Sequence, residues 1–146
     1  MEYKRQVGKL IKILSISFEK EFTKIVSSFG LTASQSMVLF YLYKNKNIDV
    51  NPVDLEKFFE FSHVTILGIL KRLEEKEFIT IEKSLKDQRY RIVKITEKGL
   101  DTESEIKKSL KTVAERMNKG ISKEEQDIFA STAIKMIENL RRKNDD

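Results

Sequence analysis

The chain has 146 residues, with 28 basic and 23 acidic side chains that give a net charge of +5, and it contains no cysteine. A composition of 40% hydrophobic and 35% charged residues is too apolar for a disordered chain and too polar for a membrane protein, and the length suits one domain. The absence of cysteine excludes disulfides, thiolate catalysis and cysteine-based zinc sites. Because charged residues interrupt the N-terminal region, we expect neither a signal peptide nor a membrane segment, and we predict a cytoplasmic protein.

Two helices are predicted in the first third of the chain. Apolar residues recur at helical spacing from residue 1 to 29, and Gly30 is a typical helix stop. Thr32 and Gln35 then form a capping-box pattern. An apolar run from Met37 to Tyr43 follows, so we expect a second, mostly buried helix.

A pair of short helices follows. Asn51 and Pro52 have the cap and first-turn chemistry that begins a third helix, which we expect to end near Glu60. Ser62 is placed to cap a fourth helix, and only Phe61 separates the two. The fourth helix has an apolar stripe formed by Ile66, Ile69, Leu70 and Leu73. This arrangement predicts a helix-turn-helix.

The pattern then changes to strand. Residues 78–81 and 90–95 are rich in β-branched and aromatic side chains, and they flank the polar stretch 83–89. A β-hairpin directly after a helix-turn-helix is typical of a winged helix. We therefore predict a mainly α fold with a small β-hairpin wing.

Two long amphipathic helices are predicted at the C-terminal end. The fifth follows Gly99, and Ser122 with Glu125 forms a capping box that begins the sixth. We expect a single domain over residues 1–146, with a winged-helix lobe at 31–99 and dimerisation helices at 1–30 and 100–146. The apolar stripes of the terminal helices exceed what the small lobe can cover, so a second copy of the chain is expected to cover the rest.

The excess positive charge is concentrated in the hairpin. Residues 83–98 contain six basic and two acidic side chains, which accounts for +4 of the net +5. A charged hairpin can be merely a solvated one whose lysines prevent edge-to-edge strand pairing. Next to a helix-turn-helix, however, a localised basic element favours contact with nucleic-acid phosphates.

Several short motifs occur together in one order: residues 65–76 of the fourth helix, Phe78-Ile79, Asp87-Gln88-Arg89 and residues 95–99. This ordered set, with Leu31-Thr32-Ala33-Ser34-Gln35 before it, resembles the MarR family of bacterial and archaeal transcription regulators. The resemblance implies an obligate homodimer that binds a pseudo-palindromic double-stranded DNA operator, often as a repressor. It also implies release by a small aromatic or anionic effector, and no cofactor.

The candidate DNA-binding residues fall into three groups. The resemblance implies that Asp87 orients Arg89 and that Arg89 enters the minor groove. On the recognition helix and at the wing, further candidates are Ser62, His63, Thr65, Lys71, Arg72, Lys86 and Arg91. Ser34, Gln35 and Asn51 lie at helix starts, where they can hold phosphates or act only as caps.

Two positions depart from the family pattern. Gly68 stands in the recognition helix where many members have a polar side chain, which shifts the expected recognition toward the wing and DNA shape. Glu77 stands where the family usually has glycine after that helix.

Other readings of the sequence are weaker. His63 is the sole histidine and lacks the companions that a metal site needs. Phe58, Phe59 and Phe61 are expected to pack in the core rather than form a ligand cage. The glycines form no phosphate loop and no catalytic arrangement is evident, so we predict that the chain is not an enzyme. The main alternative is a protein-interaction winged helix whose basic wing serves solubility.

Overall fold

The computed structural model describes residues 6–142. Within them, six helices and one hairpin follow in the order α1 (Val7–Ser28), α2 (Ala33–Lys44), α3 (Pro52–Phe59), α4 (His63–Glu75), β1 (Ile79–Lys83), β2 (Arg91–Ile95), α5 (Glu97–Met117) and α6 (Lys123–Arg141). The chain divides into two compact units, Met1–Leu110 and Lys111–Asp146. This order confirms the predicted winged-helix architecture, while the predicted beginning of α1 at Met1 lies outside the described residues.

Local capping fixes where the helices begin. Thr32 and Gln35 close a reciprocal capping box at α2, and Ser122 does the same with Glu125 at α6. Asn51 and Asp54 form a further box at α3, with both hydrogen bonds at 3.0 Å. These boxes satisfy backbone N–H groups that a helix start leaves without intrahelical partners.

The core of the first unit forms where α2, α3, α4 and the hairpin meet. The whole predicted stripe of α4 is buried in it. Phe59 and Phe61 pack against this core as predicted, but Phe58 is largely exposed and contacts the ring of Tyr41 at 4.6 Å. The core prediction is therefore wrong for Phe58, because the C-terminal end of α3 turns that side chain toward solvent.

The hairpin is a two-stranded antiparallel sheet in which Ile79 pairs with Ile95 and Lys83 with Arg91. Its strands begin one residue later than predicted, at Ile79 and Arg91. The backbone of Val50, just before α3, adds a bridge to β2 through a 2.8 Å hydrogen bond from the Val93 N–H. The wing is thus attached on its inner side to the helix-turn-helix.

The base of the wing is attached to the end of α4. Glu77 has a left-handed backbone, with φ of 65°, and this explains why glycine is favoured at that position. Its carbonyl accepts a hydrogen bond of 2.7 Å from the Thr96 hydroxyl, and the Lys98 ammonium donates one of 2.7 Å to the carbonyl of Lys76. These bonds hold β1 and the start of α5 beside the end of α4.

Gly99 allows the close packing at this base. It is buried, and a Cβ placed on it would lie 2.5 Å from the Phe78 carbonyl oxygen and 2.6 Å from Ile95 Cγ1. Any side chain at this position would displace the wing from α5. Glycine is therefore required here by close approach rather than by backbone conformation.

One acidic side chain of α5 is buried and leaves one carboxylate oxygen without a hydrogen-bond partner. Glu103 is 5% exposed, and its Oε1 lacks a partner within residues 6–142. Burial raises the pKa of this carboxyl to about 7, because a low-dielectric surrounding disfavours its charged form.

Both terminal helices keep exposed apolar faces. In the first unit, the N-terminal half of α1 exposes Val7, Leu10, Ile11 and Leu14. In the second unit, α6 has no buried residue and exposes Ile128, Phe129, Ile137 and Leu140. As predicted from the sequence, each unit leaves an apolar face uncovered.

Candidate nucleic-acid interface

The start of α4 presents a short polar edge. The Ser62 hydroxyl caps the helix, accepting from the Thr65 N–H at 3.2 Å and donating to Thr65 Oγ1 at 2.9 Å. Both residues are exposed. Their hydroxyl groups therefore lie next to the N-terminal N–H groups of α4, where the helix dipole favours an anion.

His63, the first residue of α4, is held by α3. Its Nδ1 lies 3.1 Å from Oε1 of Glu56, while 64% of the side chain is exposed. The contact between the two helices was beyond sequence reasoning, because it depends on the turn between α3 and α4.

The outward face of α4 is mixed in chemistry. Lys71 is exposed, and Arg72 is exposed with one guanidinium nitrogen 3.4 Å from Glu75. A Cβ at Gly68 would meet no atom within 4 Å, so the chain packs nothing against this position. Val64, which is 79% exposed, was missed by the sequence analysis. Its helical position was the available sign, because residue 64 lies on the side of α4 opposite to the buried stripe.

At the wing, Asp87 and Arg89 form a fork. Arg89 donates to Asp87 from its backbone N–H at 3.0 Å, from Nε at 3.1 Å and from Nη2 at 3.0 Å. These hydrogen bonds hold the pKa of the Asp87 carboxyl below its usual value, the side-chain bond contributing more than the backbone bond. The Arg89 side chain remains 88% exposed, so the aspartate orients the guanidinium and leaves it accessible.

The remaining basic residues of the hairpin lie in different places. Lys86 is exposed in the turn, where its N–H donates to the Ser84 hydroxyl at 3.2 Å. Because side chains alternate along a strand, Arg91 and Lys94 point to opposite faces of the sheet. Lys94 pairs with Glu82 at 3.6 Å, while Arg91 lies exposed next to the wing turn.

At the starts of α2 and α3 the structure favours capping. Gln35 is buried, and its Oε1 accepts from the Thr32 N–H and from the Lys76 ammonium, at 3.2 and 3.0 Å. Asn51 is engaged in the box with Asp54. Of the three residues for which cap and phosphate contact were alternatives, only Ser34 has an exposed side chain.

A cavity of about 450 Å³ lies on another side of the first unit. Its apolar walls come from the end of α2, from β2 and from Leu100, and its polar groups come mainly from residues 45–49 and Lys94. The volume is in the range of small-molecule sites.

Within residues 6–142 no single helix is both long and apolar enough to cross a membrane; α1 and α2 meet that test only together, with a bend of 78° between them.

Comparison with known proteins assigns the family. The family profile for the transcriptional regulator SarA/Rot matches residues 20–106. The HTH-type transcriptional regulator Hpr of Bacillus pumilus is 26% identical over 100 residues, which are 68% of this chain and 48% of Hpr. The chain thus matches about half the length of that curated relative.

Solved structures agree with the fold. The transcription regulator MarR from Oenococcus oeni is 31% identical, with a TM-score of 0.64 over 91% of this chain and 99% of that one. The MepR–DNA complex of Staphylococcus aureus has a TM-score of 0.73 at 19% identity, over 96% and 99% of the two chains. The likeness to MarR that the ordered motifs predicted is confirmed, and the chain belongs to the SarA/Rot family of transcriptional regulators.

Proposed function

We propose that this chain is a transcriptional regulator that binds double-stranded DNA as a homodimer on a pseudo-palindromic operator and acts as a repressor. The observation that carries the proposal is the exposed Asp87–Arg89 fork on a hairpin attached to the end of α4. In this reading α4 enters the major groove and Arg89 the adjacent minor groove. MepR, a protein of the same fold, has been crystallised with DNA.

The electrostatics of the wing support this placement. A guanidinium with a fixed direction and little burial suits a narrow minor groove, where negative potential is concentrated. Asp87 reduces the conformational freedom that Arg89 would otherwise lose on binding, which lowers the entropic cost of the contact. Lys86 and Arg91, exposed on the same hairpin, are proposed to contact phosphates.

The α4 surface supplies the second half of the proposed interface. Ser62, His63 and Thr65 lie at the helix start, and Lys71 and Arg72 lie further along. The polar residues of the first turn are proposed to contact base edges and phosphates. Ser34 is proposed as a phosphate contact at the start of α2, whereas Gln35 and Asn51 serve as caps.

Homodimer formation is proposed from the uncovered apolar faces of α1 and α6. Exposed apolar surfaces of this extent on long helices mark protein contacts. A two-fold dimer would carry two winged-helix lobes, and such symmetry matches a pseudo-palindromic operator. Residues 1–30 and 100–146 are proposed as the dimerisation helices and residues 31–99 as the DNA-binding lobe.

A small aromatic or anionic effector is proposed for the cavity of about 450 Å³, whose apolar walls and nearby Lys46 and Lys94 suit such a molecule. Thermal unfolding with a series of aromatic carboxylates tests this, because a ligand at a hundred times its Kd stabilises the fold by about 2.7 kcal/mol. Unchanged melting and unchanged DNA affinity with every compound would contradict it. We further propose that the chain acts in the cytoplasm and catalyses no reaction.

A protein-interaction winged helix is the second candidate function. Exposed Val64 and Leu67 on the outward face of α4 favour it, because apolar side chains in the centre of a surface patch are typical of protein contacts. Salt dependence separates the two functions. DNA binding weakens steeply as salt rises, whereas a largely apolar protein contact does not.

Fluorescence anisotropy with a labelled duplex from upstream of the chain's own gene tests the proposal at several salt concentrations. We expect tight binding by the wild type, a steep salt slope and strong weakening by Arg89→Ala. Arg141→Ala removes the same charge from an exposed arginine of α6 that is not among the proposed DNA contacts. It should have little effect on DNA binding when sedimentation shows that the variant assembles as the wild type does. Failure of the wild type to bind any duplex at low salt would overturn the proposal in favour of the protein-interaction function.

A further inference from the structure

The contact between Glu56 and His63 joins the two helices of the helix-turn-helix at the edge of the proposed interface. Glu56 comes from α3 with only 18% of its side chain exposed, and His63 begins α4 with 64% exposed. Their ring nitrogen and carboxylate oxygen are 3.1 Å apart. One end of the pair is thus fixed in the lobe and the other faces solvent.

The buried end of this pair has an unsatisfied group. Oε2 of Glu56 is buried without a hydrogen-bond partner within residues 6–142, and His63 is the one basic group within 4.0 Å of this carboxylate in the same range. A poorly solvated carboxylate favours a positive partner, because little water compensates its charge. The carboxylate therefore favours a hydrogen-bond donor, and the His63 ring supplies it.

The direction of the ring follows from the hydrogen bond. Because an ionised carboxylate only accepts, Nδ1 of His63 must carry the proton in this contact. The other nitrogen, Nε2, has no partner within residues 6–142. When the ring is neutral, Nε2 is then an acceptor that an anion avoids, and when the ring is protonated, Nε2–H is a charged donor.

The position on the helix indicates which DNA group this donor would meet. His63 precedes the buried Ile66 by three residues, which places it about 60° from that residue around the helix axis. Val64 and Lys71 lie closer to the outermost line of α4. A residue on the flank of a helix in the major groove faces the phosphate backbone rather than the base edges.

We propose that Glu56 is a positioning residue for DNA binding, which holds the His63 ring so that Nε2 faces outward and donates a hydrogen bond to a DNA phosphate. This inference rests on the proposed DNA-binding function. It adds Glu56 to the set of residues that determine affinity, and it makes the contact stronger at pH values where the ring is protonated. When the ring is neutral, Nε2 carries no proton and cannot donate to the phosphate.

Two further acids on the packed elements have partners elsewhere. The Asp54 carboxylate of α3 accepts a hydrogen bond from the Asn51 N–H, and Glu82 of β1 forms an ion pair with Lys94. Glu56 is the acid within 4.0 Å of the His63 ring among residues 6–142. The basic residues on α2, α3, α4 and β1 are Lys44, Lys57, Lys71, Arg72 and Lys83.

The geometry can be tested without DNA. Because His63 is the sole histidine, ¹⁵N spectra of the untagged protein report its ring directly. We expect the Nδ1–H form at high pH in the wild type and in the Glu60→Gln control, and loss of that preference in Glu56→Gln. The same tautomer in wild type and Glu56→Gln would overturn the positioning role.

The DNA contact is tested by anisotropy at about pH 6 and about pH 8, with the labelled upstream duplex and a scrambled duplex of equal length. We expect the His63 contact of each protomer to make DNA binding about twofold to fivefold tighter at about pH 6 than at about pH 8, which is the range of an exposed ionic contact. His63→Gln, which keeps a donor but does not titrate, should lose this additional pH dependence. Glu56→Gln should weaken wild-type binding near pH 7, with little added effect in the His63→Gln background.

Each failure has a distinct meaning. If Glu56→Gln weakens binding equally with and without His63, the inference is overturned, because its effect is then merely on helix packing. If the pH effect is confined to the upstream duplex, the phosphate assignment is overturned in favour of a base contact. Tight binding with identical pH profiles for wild type and His63→Gln overturns the inference alone, whereas no binding to either duplex overturns the proposed function as well.

Discussion

Two glycines within helices give opposite predictions for the same substitution. Gly68 in α4 and Gly99 in α5 are both replaced by alanine, which helix propensity alone favours by about 1 kcal/mol at an interior position. At Gly68 the new Cβ would meet nothing within 4 Å. We therefore expect Gly68→Ala to raise the free energy of unfolding by up to about 1 kcal/mol.

At Gly99 the structure reverses the sign. The new Cβ would lie 2.5 Å from the Phe78 carbonyl oxygen, and that oxygen is held in place because it accepts from the Thr96 N–H at 3.0 Å. Forcing a methyl group into a packed site costs about 1–3 kcal/mol, and the propensity gain is small so near the helix start. We expect Gly99→Ala to lower the free energy of unfolding by about 1–2 kcal/mol.

Urea unfolding followed by far-ultraviolet circular dichroism measures both variants against the wild type. One protein concentration must be used throughout, because association shifts apparent stability. A change in midpoint at constant m-value is the expected result. If Gly99→Ala is as stable as Gly68→Ala, the close approach of α5 to the wing base is not as described, and the argument from packing fails.

Three further predictions concern stability and assembly. Burial raises the pKa of Glu103 from 4.5 to about 7, so the stability that this carboxyl contributes is fully present below about pH 4.5 and is lost as the pH rises through 7. Relative to Glu103→Gln, the wild type should lose up to about 3 kcal/mol of unfolding free energy over this range, at about 1.4 kcal/mol per pH unit. A difference between the two proteins that stays constant with pH in urea titrations would contradict this. Glu77→Gly relieves a left-handed backbone at φ of 65° and should raise the unfolding free energy by up to about 1 kcal/mol, whereas a less stable variant in the same titration would refute the strain. Ile137→Asp places a charge on the exposed apolar face of α6 and should shift the proposed dimer toward monomer in sedimentation equilibrium. Ser131→Asp, at an exposed position on the opposite side of α6, should not. An unchanged dimer in Ile137→Asp would exclude Ile137 from the interface.

The wing shows why the sequence can predict a hairpin but not which of its side chains face the lobe. The β-branched and aromatic side chains of residues 90–95 predict a strand, because such side chains suit a pleated surface. Which of Arg91 and Lys94 faces the lobe depends on register, and register is set by pairing with β1 and by the bridge to Val50. The sequence could not supply that choice.

The sequence by itself determined the features that depend on neighbouring residues. The capping residues Thr32, Asn51, Ser62 and Ser122 mark four helix starts as predicted, because each cap is completed by residues within three positions of it. The α4 stripe was predictable for the same reason, since helical period alone separates its buried and exposed faces. The ordered family motifs then determined the family.

Only the tertiary structure decided the features that join distant segments. The burial of Gln35 and its contact with Lys76, the orientation of His63 by Glu56 and the close packing at Gly99 all require helices or strands to meet at particular distances. Local propensity contains no information about such distances, because they are fixed by how complete elements pack. The sequence therefore predicts which elements form and where the helices begin, and the packing decides which side chains are held in place by distant segments.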